Sequence, residues 1–282
     1  MILCHSAKEL AELVSQAKEQ GKSVGFVPTM GALHDGHLSL VKSAQKENQF
    51  VVVSVFVNPL QFGEKSDFDS YPRTLGVDAR LLTDAGVDVL FAPNVQEVFP
   101  ANLTLTEPIP GPIGEKFEGE SRPEHFAGML KVVSRLFDLV QPDTAFFGEK
   151  DAQQLALVKQ MVSEQISAGR RDPMKVVGCK TVRDEHGLAL SSRNSRLSAG
   201  EIETARSLSR ALMAGSKAGK KREQILLAAK AELASEARLD YLELVDPQSF
   251  EIVDQLPASG GLLIIAAWVG DVRLIDNLLI GG

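Results

Sequence analysis

The order of elements along the chain predicts an α/β fold, a doubly wound parallel sheet with helices on both faces, followed by a smaller α+β domain. Three observations carry that expectation. Short apolar runs alternate with amphipathic helical segments as far as about Cys179. The run Phe50–Val57, FVVVSVFV, is apolar on both faces, as a strand buried between two helical layers must be. Beyond about Lys180 the alternation stops, and two helical segments are followed by four strand-like ones.

Taken in order, Ser6–Gln20 reads as the first helix. Ser6 is a good N-cap, Glu9 stands where a capping box needs it, and Gly21 supplies the stop. Ser23–Thr29 is strand-like, and Gly36–Asn48 has Leu38, Val41 and Ala44 at helical spacing. After Phe50–Val57, helical Thr74–Ala85 ends at Gly86 and gives way to the strand Val87–Pro93. Ala127–Val140 is an amphipathic helix. Thr144–Gly148, Ala152–Gln165 and Met174–Cys179 then repeat the strand, helix, strand order. The second part opens with helices at Ser198–Ala214 and Arg222–Ser235. Strands are expected at Leu239–Asp246, Phe250–Asp254, Leu262–Gly270 and Val272–Ile280, with turns at Asp246-Pro247, Gly260-Gly261 and Gly270-Asp271. The domain boundary is expected near Lys175–Asp184, giving domains 1–178 and 179–282. Glu107–Phe126, rich in Gly, Pro and charge, reads as a long ordered loop, and such loops are often functional.

Composition narrows the classes of function. Thirty basic against 37 acidic side chains give a net charge of -7, which argues against broad binding to nucleic acid or to an anionic membrane. A local cluster of positive charge can still hold a small phosphate ligand. The apolar run Leu262–Gly270 is too short to span a bilayer. The N-terminus lacks the pattern of a signal peptide. Two cysteines, Cys4 and Cys179, show neither zinc nor CxxC spacing and read as reduced thiols of a cytoplasmic protein.

The chemistry is concentrated in PTMGALHDGH, Pro28–His37. Two of the chain's five histidines stand three residues apart where a strand hands over to a helix. Gly31 and Gly36 allow close approach of the backbone to a ligand. The N–H groups of the following helix favour an anion there. Read alone, an HxxH pair also fits two unrelated histidines, Lys150 fits a solvated charge, and Gln61 or Gln154 fits a surface residue. The segment Leu190–Asn194 alone reads as a polar loop.

The string His34–His37 resembles the HxGH signature of the nucleotidylyltransferase and class I aminoacyl-tRNA synthetase superfamily, whose nucleotide domains are Rossmann-like. The longer string PTMGALHDGHLSL is more specific and resembles the pantothenate synthetase (pantoate–β-alanine ligase) family. So do FVNPLQF (Phe56–Phe62), YPRT (Tyr71–Thr74), RPEHFAGM (Arg122–Met129), FFGEKDAQQL (Phe146–Leu155) and LSSRN (Leu190–Asn194). The blocks fall in the family's order and cover the N-terminal two thirds densely.

The resemblance implies condensation of (R)-pantoate with β-alanine, using ATP and releasing AMP and pyrophosphate, through a pantoyl adenylate. It implies an ATP site made by Met30, Gly31, Ala32, Leu33, His34, Asp35, Gly36 and His37, then Gly148, Glu149, Lys150 and Asp151, then Val182, Leu190, Ser191, Ser192 and Arg193. Leu190 stands where the family commonly has Met, a swap that conserves volume. Catalytic roles are implied for His37, as donor to the departing pyrophosphate, and for His34, Lys150 and Arg193 on other phosphate oxygens. Gln61 and Gln154 match the family's pantoate-binding glutamines, with Met30 and Phe62 as walls for the gem-dimethyl group. Gln61 is also the expected neighbour of the β-alanine site. Asp78 is the implied Mg2+ ligand, beside Val77 where some relatives carry a second acid. Arg122 and His125 are expected either to close near the phosphates or to serve as plain loop structure. A homodimer is also implied. Rival readings are an adenylyl- or cytidylyltransferase, a synthetase fragment and a non-catalytic nucleotide sensor. The paired glutamines speak against the first and third, and the acidic charge gives no support to the second.

Overall fold

A computed structural model describes residues 1–62, 68–69, 71–103 and 106–281. Six parallel strands form one sheet in the order β1-β4-β3-β2-β5-β6: β1 (Ile2–Cys4), β2 (Val24–Thr29), β3 (Phe50–Val55), β4 (Val89–Phe91), β5 (Thr144–Gly148) and β6 (Lys175–Cys179). The chain winds outward from β2 to β3 and β4, then restarts on the other side with β5 and β6. β2 and β5 therefore flank the point where strand order reverses, the place where such sheets bind ligands beyond the strands' carboxyl ends.

The helices α1 (Ala7–Glu19), α2 (Asp35–Glu47), α3 (Leu75–Asp84), α4 (Val95–Val98), α5 (Glu118–Ser121), α6 (His125–Val140) and α7 (Ala152–Ser167) intervene. Ser6 caps α1 by accepting the Glu9 N–H at 3.2 Å. α6 carries a broad buried stripe that includes Phe126, Leu130, Val133 and Phe137. It fits a sheet whose central strands have no exposed apolar face, since Phe26, Val27, Val52 and Val53 are all sealed from solvent.

A second, antiparallel sheet follows in the order β7-β8-β9: β7 (Arg238–Val245), β8 (Gly261–Val269) and β9 (Val272–Ile280). The helices α8 (Ala199–Gly215) and α9 (Arg222–Glu232) supply Leu208, Leu212 and Ile225 to a core shared with Leu244, Leu263 and Ile265. Ser198 and Glu201 close a capping box at the start of α8.

Two compact units result. One comprises Met1–Glu149 with Leu157–Cys179, and the other Lys150–Ala156 with the chain from Lys180 onward. The short segment Lys150–Ala156 thus belongs with the C-terminal part, which no feature of the sequence signalled.

Three local expectations need revision. Phe250–Asp254 is not a strand. Asp246 accepts the N–H groups of Gln248 and Ser249, Phe250 takes φ +53°, and only Ile252 bridges back to Val245. β1 has only three residues, too few to show a period, and is recognisable only by its pairing with β4. The long loop contains a 3-10 turn at Pro112–Glu115 and the helix α5. Among the described residues, no helix is long and apolar enough to cross a membrane.

Candidate active site

The loop between β2 and α2 is built from its backbone outward. Thr29 donates from Oγ1 to the Ser54 carbonyl at 2.7 Å and accepts the Gly31 N–H at 3.2 Å, so the chain turns sharply as it leaves the sheet. Gly31 sits at φ +85°, where a Cβ would lie 3.0 Å from Val55 Cγ1 and 3.1 Å from Asp78 Oδ2. Ala32 follows at φ +50°, a conformation that costs a non-glycine residue about 1–2 kcal/mol.

Asp78 holds this loop in place. Its Oδ2 accepts the Ala32 N–H at 3.1 Å and its Oδ1 the Leu33 N–H at 2.9 Å, while the Thr74 hydroxyl lies 3.2–3.3 Å from both oxygens. The residue is 1% exposed. Three donors thus take up three of the carboxylate's roughly four acceptor sites, and the first task of Asp78 in this fold is to anchor the loop. Among the described residues, no group of three or more His, Cys, Asp or Glu side chains is gathered to hold a metal ion.

His34 is the N-cap of α2, and its Nδ1 accepts the Gly36 N–H at 3.1 Å. His37 stands at the third helical position and its Nδ1 accepts the His34 N–H at 3.3 Å, making a capping box of two imidazoles. The ring centroids are 4.1 Å apart. A ring nitrogen that accepts a hydrogen bond carries no proton, so each ring so held is neutral and bears its proton on Nε2. The two caps orient both imidazoles as Nε2–H donors at the positive end of α2.

Gln61 ends a 3-10 turn, Pro59–Gln61, just after β3. Asn58 caps that turn by accepting the Leu60 N–H at 3.1 Å, and its Nδ2 donates to Gln61 Oε1 at 3.1 Å and to the Gly128 carbonyl at 3.0 Å. The Gln61 amide is therefore fixed with Oε1 toward Asn58, and its Nε2 donates to Met30 Sδ at 3.0 Å. Gly128, on α6, lies so close that a Cβ there would sit 2.0 Å from the Leu60 carbonyl oxygen. His125 donates from Nδ1 to the Gln61 carbonyl at 2.9 Å, and Arg122 donates to His125 Nε2 at 3.3 Å. Both residues of the long loop thus support the Gln61 turn. Phe62 meets Tyr71 edge to face at 5.7 Å. Gly148 closes β5, with open space where a Cβ would project, and Glu149 follows, exposed.

The remaining expected residues lie in the second unit. Lys150 and Asp151 complete the 3-10 turn Glu149–Asp151, and Gln154 stands half-buried in the first turn of α7. Val182 accepts the Leu190 N–H at 2.9 Å, which closes a hairpin through the Arg183–Ala189 bridge and Gly187 at φ +90°. Beyond it, Ser191 caps the 3-10 turn Ser192–Arg196 by accepting the Arg193 N–H at 3.3 Å. Asn194 donates to the Ala189 carbonyl at 3.0 Å. The first unit thus gathers Met30–His37, Asp78 and Gln61, and the second gathers Lys150 with the Val182–Arg193 segment.

Sequence reasoning missed Asn58, Thr74 and Gly128. Asn58 had a signal, since Asn before Pro is a recurrent turn opener. Thr74 had one too, four residues before Asp78 at the start of an expected helix, whereas Gly128 had none, because its role lies against a turn 70 residues away.

Residues 2–279 match the protein-family profile described as Pantoate-beta-alanine ligase. A pantothenate synthetase from a Nocardioides species is 47% identical, over 98% of this chain and 84% of its own length. One from Bacteroides thetaiotaomicron is 46% identical, over 99% and 98%. The crystal structure of pantothenate synthetase from Thermus thermophilus superimposes with a TM-score of 0.92 at 45% identity, covering both chains completely. A pantoate-beta-alanine ligase from Francisella tularensis, complexed with beta-gamma ATP and beta-alanine, matches at a TM-score of 0.81 and 37% identity, over 99% of this chain and 97% of its own. With a profile match over almost its whole length and relatives above 40% identity aligned nearly end to end, the chain belongs to the pantoate–β-alanine ligase family.

Proposed function

We infer that this chain condenses (R)-pantoate with β-alanine, using ATP and releasing AMP and pyrophosphate through a pantoyl adenylate. The observation that carries the reading is the double-imidazole cap of α2. In the first step a pantoate carboxylate oxygen attacks the α-phosphorus. The bond to the bridging oxygen breaks, and pyrophosphate leaves with the electron pair. Negative charge grows on the oxygens around that bond. Neutral Nε2–H donors at a helix N-terminus stabilise such charge without themselves needing to ionise. His37 is the donor nearest in role to the leaving oxygen, and His34 serves the other phosphate oxygens.

Lys150 and Arg193 add positive charge on the phosphates, and Ser191 and Ser192 add hydroxyl donors. Gln61 and Gln154 bind pantoate. The Gln61 N–H that donates to Met30 sulfur has a weak acceptor there, so exchange for a substrate hydroxyl or carboxylate is favourable. In the second step the β-alanine amine attacks the acyl carbonyl and AMP departs. Mg2+ would accompany ATP and neutralise phosphate charge, and Asp78, which also anchors the loop backbone, is the acid that would hold it. A homodimer and a cytoplasmic location belong to the same reading; the free, buried thiols Cys4 and Cys179 agree with a reducing compartment.

The test is isotope exchange between pyrophosphate and ATP. Exchange is expected only when pantoate is present, and AMP release only when β-alanine is added as well. Exchange independent of pantoate would overturn the assignment.

A further inference from the structure

Within the second unit, two adjacent residues of the edge strand β9 reach two different pieces of the proposed phosphate site. Asp276, 5% exposed, takes a bidentate pair from Arg183: Nη1 to Oδ2 at 2.6 Å and Nη2 to Oδ1 at 2.9 Å. Arg183 also donates to the carbonyls of Gly187 and Asn277. The hairpin that leads into Ser191–Arg193 is thereby fastened to β9 at its base. Its tip is fastened to α8, where Arg206 donates to Asp184 at 3.2 Å. The next residue along the strand, Asn277, donates from Nδ2 to the carbonyl of Lys150 at 2.8 Å. Asn277 is itself fixed in register, because its own N–H is accepted by Asp276 Oδ1 at 2.8 Å.

We propose that Asn277 is a positioning residue for Lys150, and that with Asp276 it makes β9 the common rail on which the Lys150 turn and the Arg193 turn are mounted. The physical case is one of reach and entropy. A lysine on a four-carbon stem finds a phosphate oxygen productively only if its backbone origin is fixed. The 3-10 turn bearing Lys150 is only three residues long. A side-chain amide donating to the carbonyl of Lys150 fixes that origin, and the part-buried Arg183–Asp276 fork holds the donor. One strand then sets the spacing of two cations that must meet one triphosphate. This inference rests on the reading that Lys150 binds phosphate.

A double-substitution cycle tests it, with pantoate-dependent exchange of pyrophosphate into ATP as the readout. Asn277→Asp keeps the shape but cannot donate. It is expected to lower kcat/KM for ATP ~10-fold, the loss of one functional hydrogen bond, with the KM for pantoate within about twofold of the parent. In a Lys150→Ala background the same change is expected to cost less than about twofold, because its effect runs through Lys150. Equal losses in both backgrounds, an unchanged value in the parent background, or a parallel rise in the pantoate KM would each overturn the proposal. Asn277→Ala replaces Asn277→Asp in the cycle if the latter does not fold. If Lys150→Ala alone leaves exchange intact, the phosphate-binding reading fails instead, and the two failures are distinct.

Discussion

The two turns proposed to present charge and hydrogen-bond donors to ATP are held by opposite means. The loop carrying His34 and His37 is secured from afar: Asp78, more than 40 residues along the chain and almost fully buried, accepts two of its backbone N–H groups. The turn carrying Ser191–Arg193 is secured by its neighbours. Ser191 accepts the N–H of Arg193, Asn194 donates to Ala189, and Leu190 pairs with Val182. A long-range carboxylate can impose a left-handed alanine on its loop, whereas short-range caps only stabilise a conformation the turn already prefers. The first arrangement supplies a fixed pair of ring donors. The second supplies a turn whose placement depends on what grips its base.

That contrast can be broken from either side. The largest effect is expected from His34→Ala or His37→Ala, each lowering the rate of adenylate formation by ~10²–10³-fold in single-turnover measurements, with near-normal turnover in both counting against a fixed pair of donors. Asp78→Ala comes next. It strips two loop amides of their acceptor and should cost about 2–4 kcal/mol in urea unfolding. Asp78→Asn should fall between, since an amide has one oxygen and cannot accept from Ala32 and Leu33 as a carboxylate does. If Asp78→Ala were as stable as the parent, the long-range half of the comparison would be lost. Ser191→Ala should be the mildest, about 0.5–1 kcal/mol in the same measurement, the size of a lost cap. A loss as large as that of Asp78→Ala would show that the second turn is not locally held.

The same contrast explains what could be read without coordinates. The parallel sheet and the antiparallel one follow from periodicity and from runs such as Phe50–Val55, apolar on both sides. The histidine loop and the serine–arginine turn were legible because their residues are consecutive. Asp78 was noticed for its acid, whereas its hold on two amides far away in sequence had no local signal. Arg122 and His125 were expected either to close near the phosphates or to serve as loop structure, and their contacts brace the Gln61 turn, 60 or more residues away in sequence. β1 and the failed strand at Phe250–Asp254 went astray because three residues show no period and because Asp246 diverts the backbone into a turn. The Lys150–Asn277 bond spans 127 positions, and no local pattern could announce it.

Gly128 leaves no room for a methyl group between α6 and the carbonyl of Leu60. The turn that carries Gln61 is thus seated against bare main chain, as a gauge block seats against a flat plate with no compressible layer between them. Compensating side-chain changes elsewhere cannot tune that seating by degrees. On the proposed reading of Gln61, room for a bulkier acid has to come from residues other than this contact.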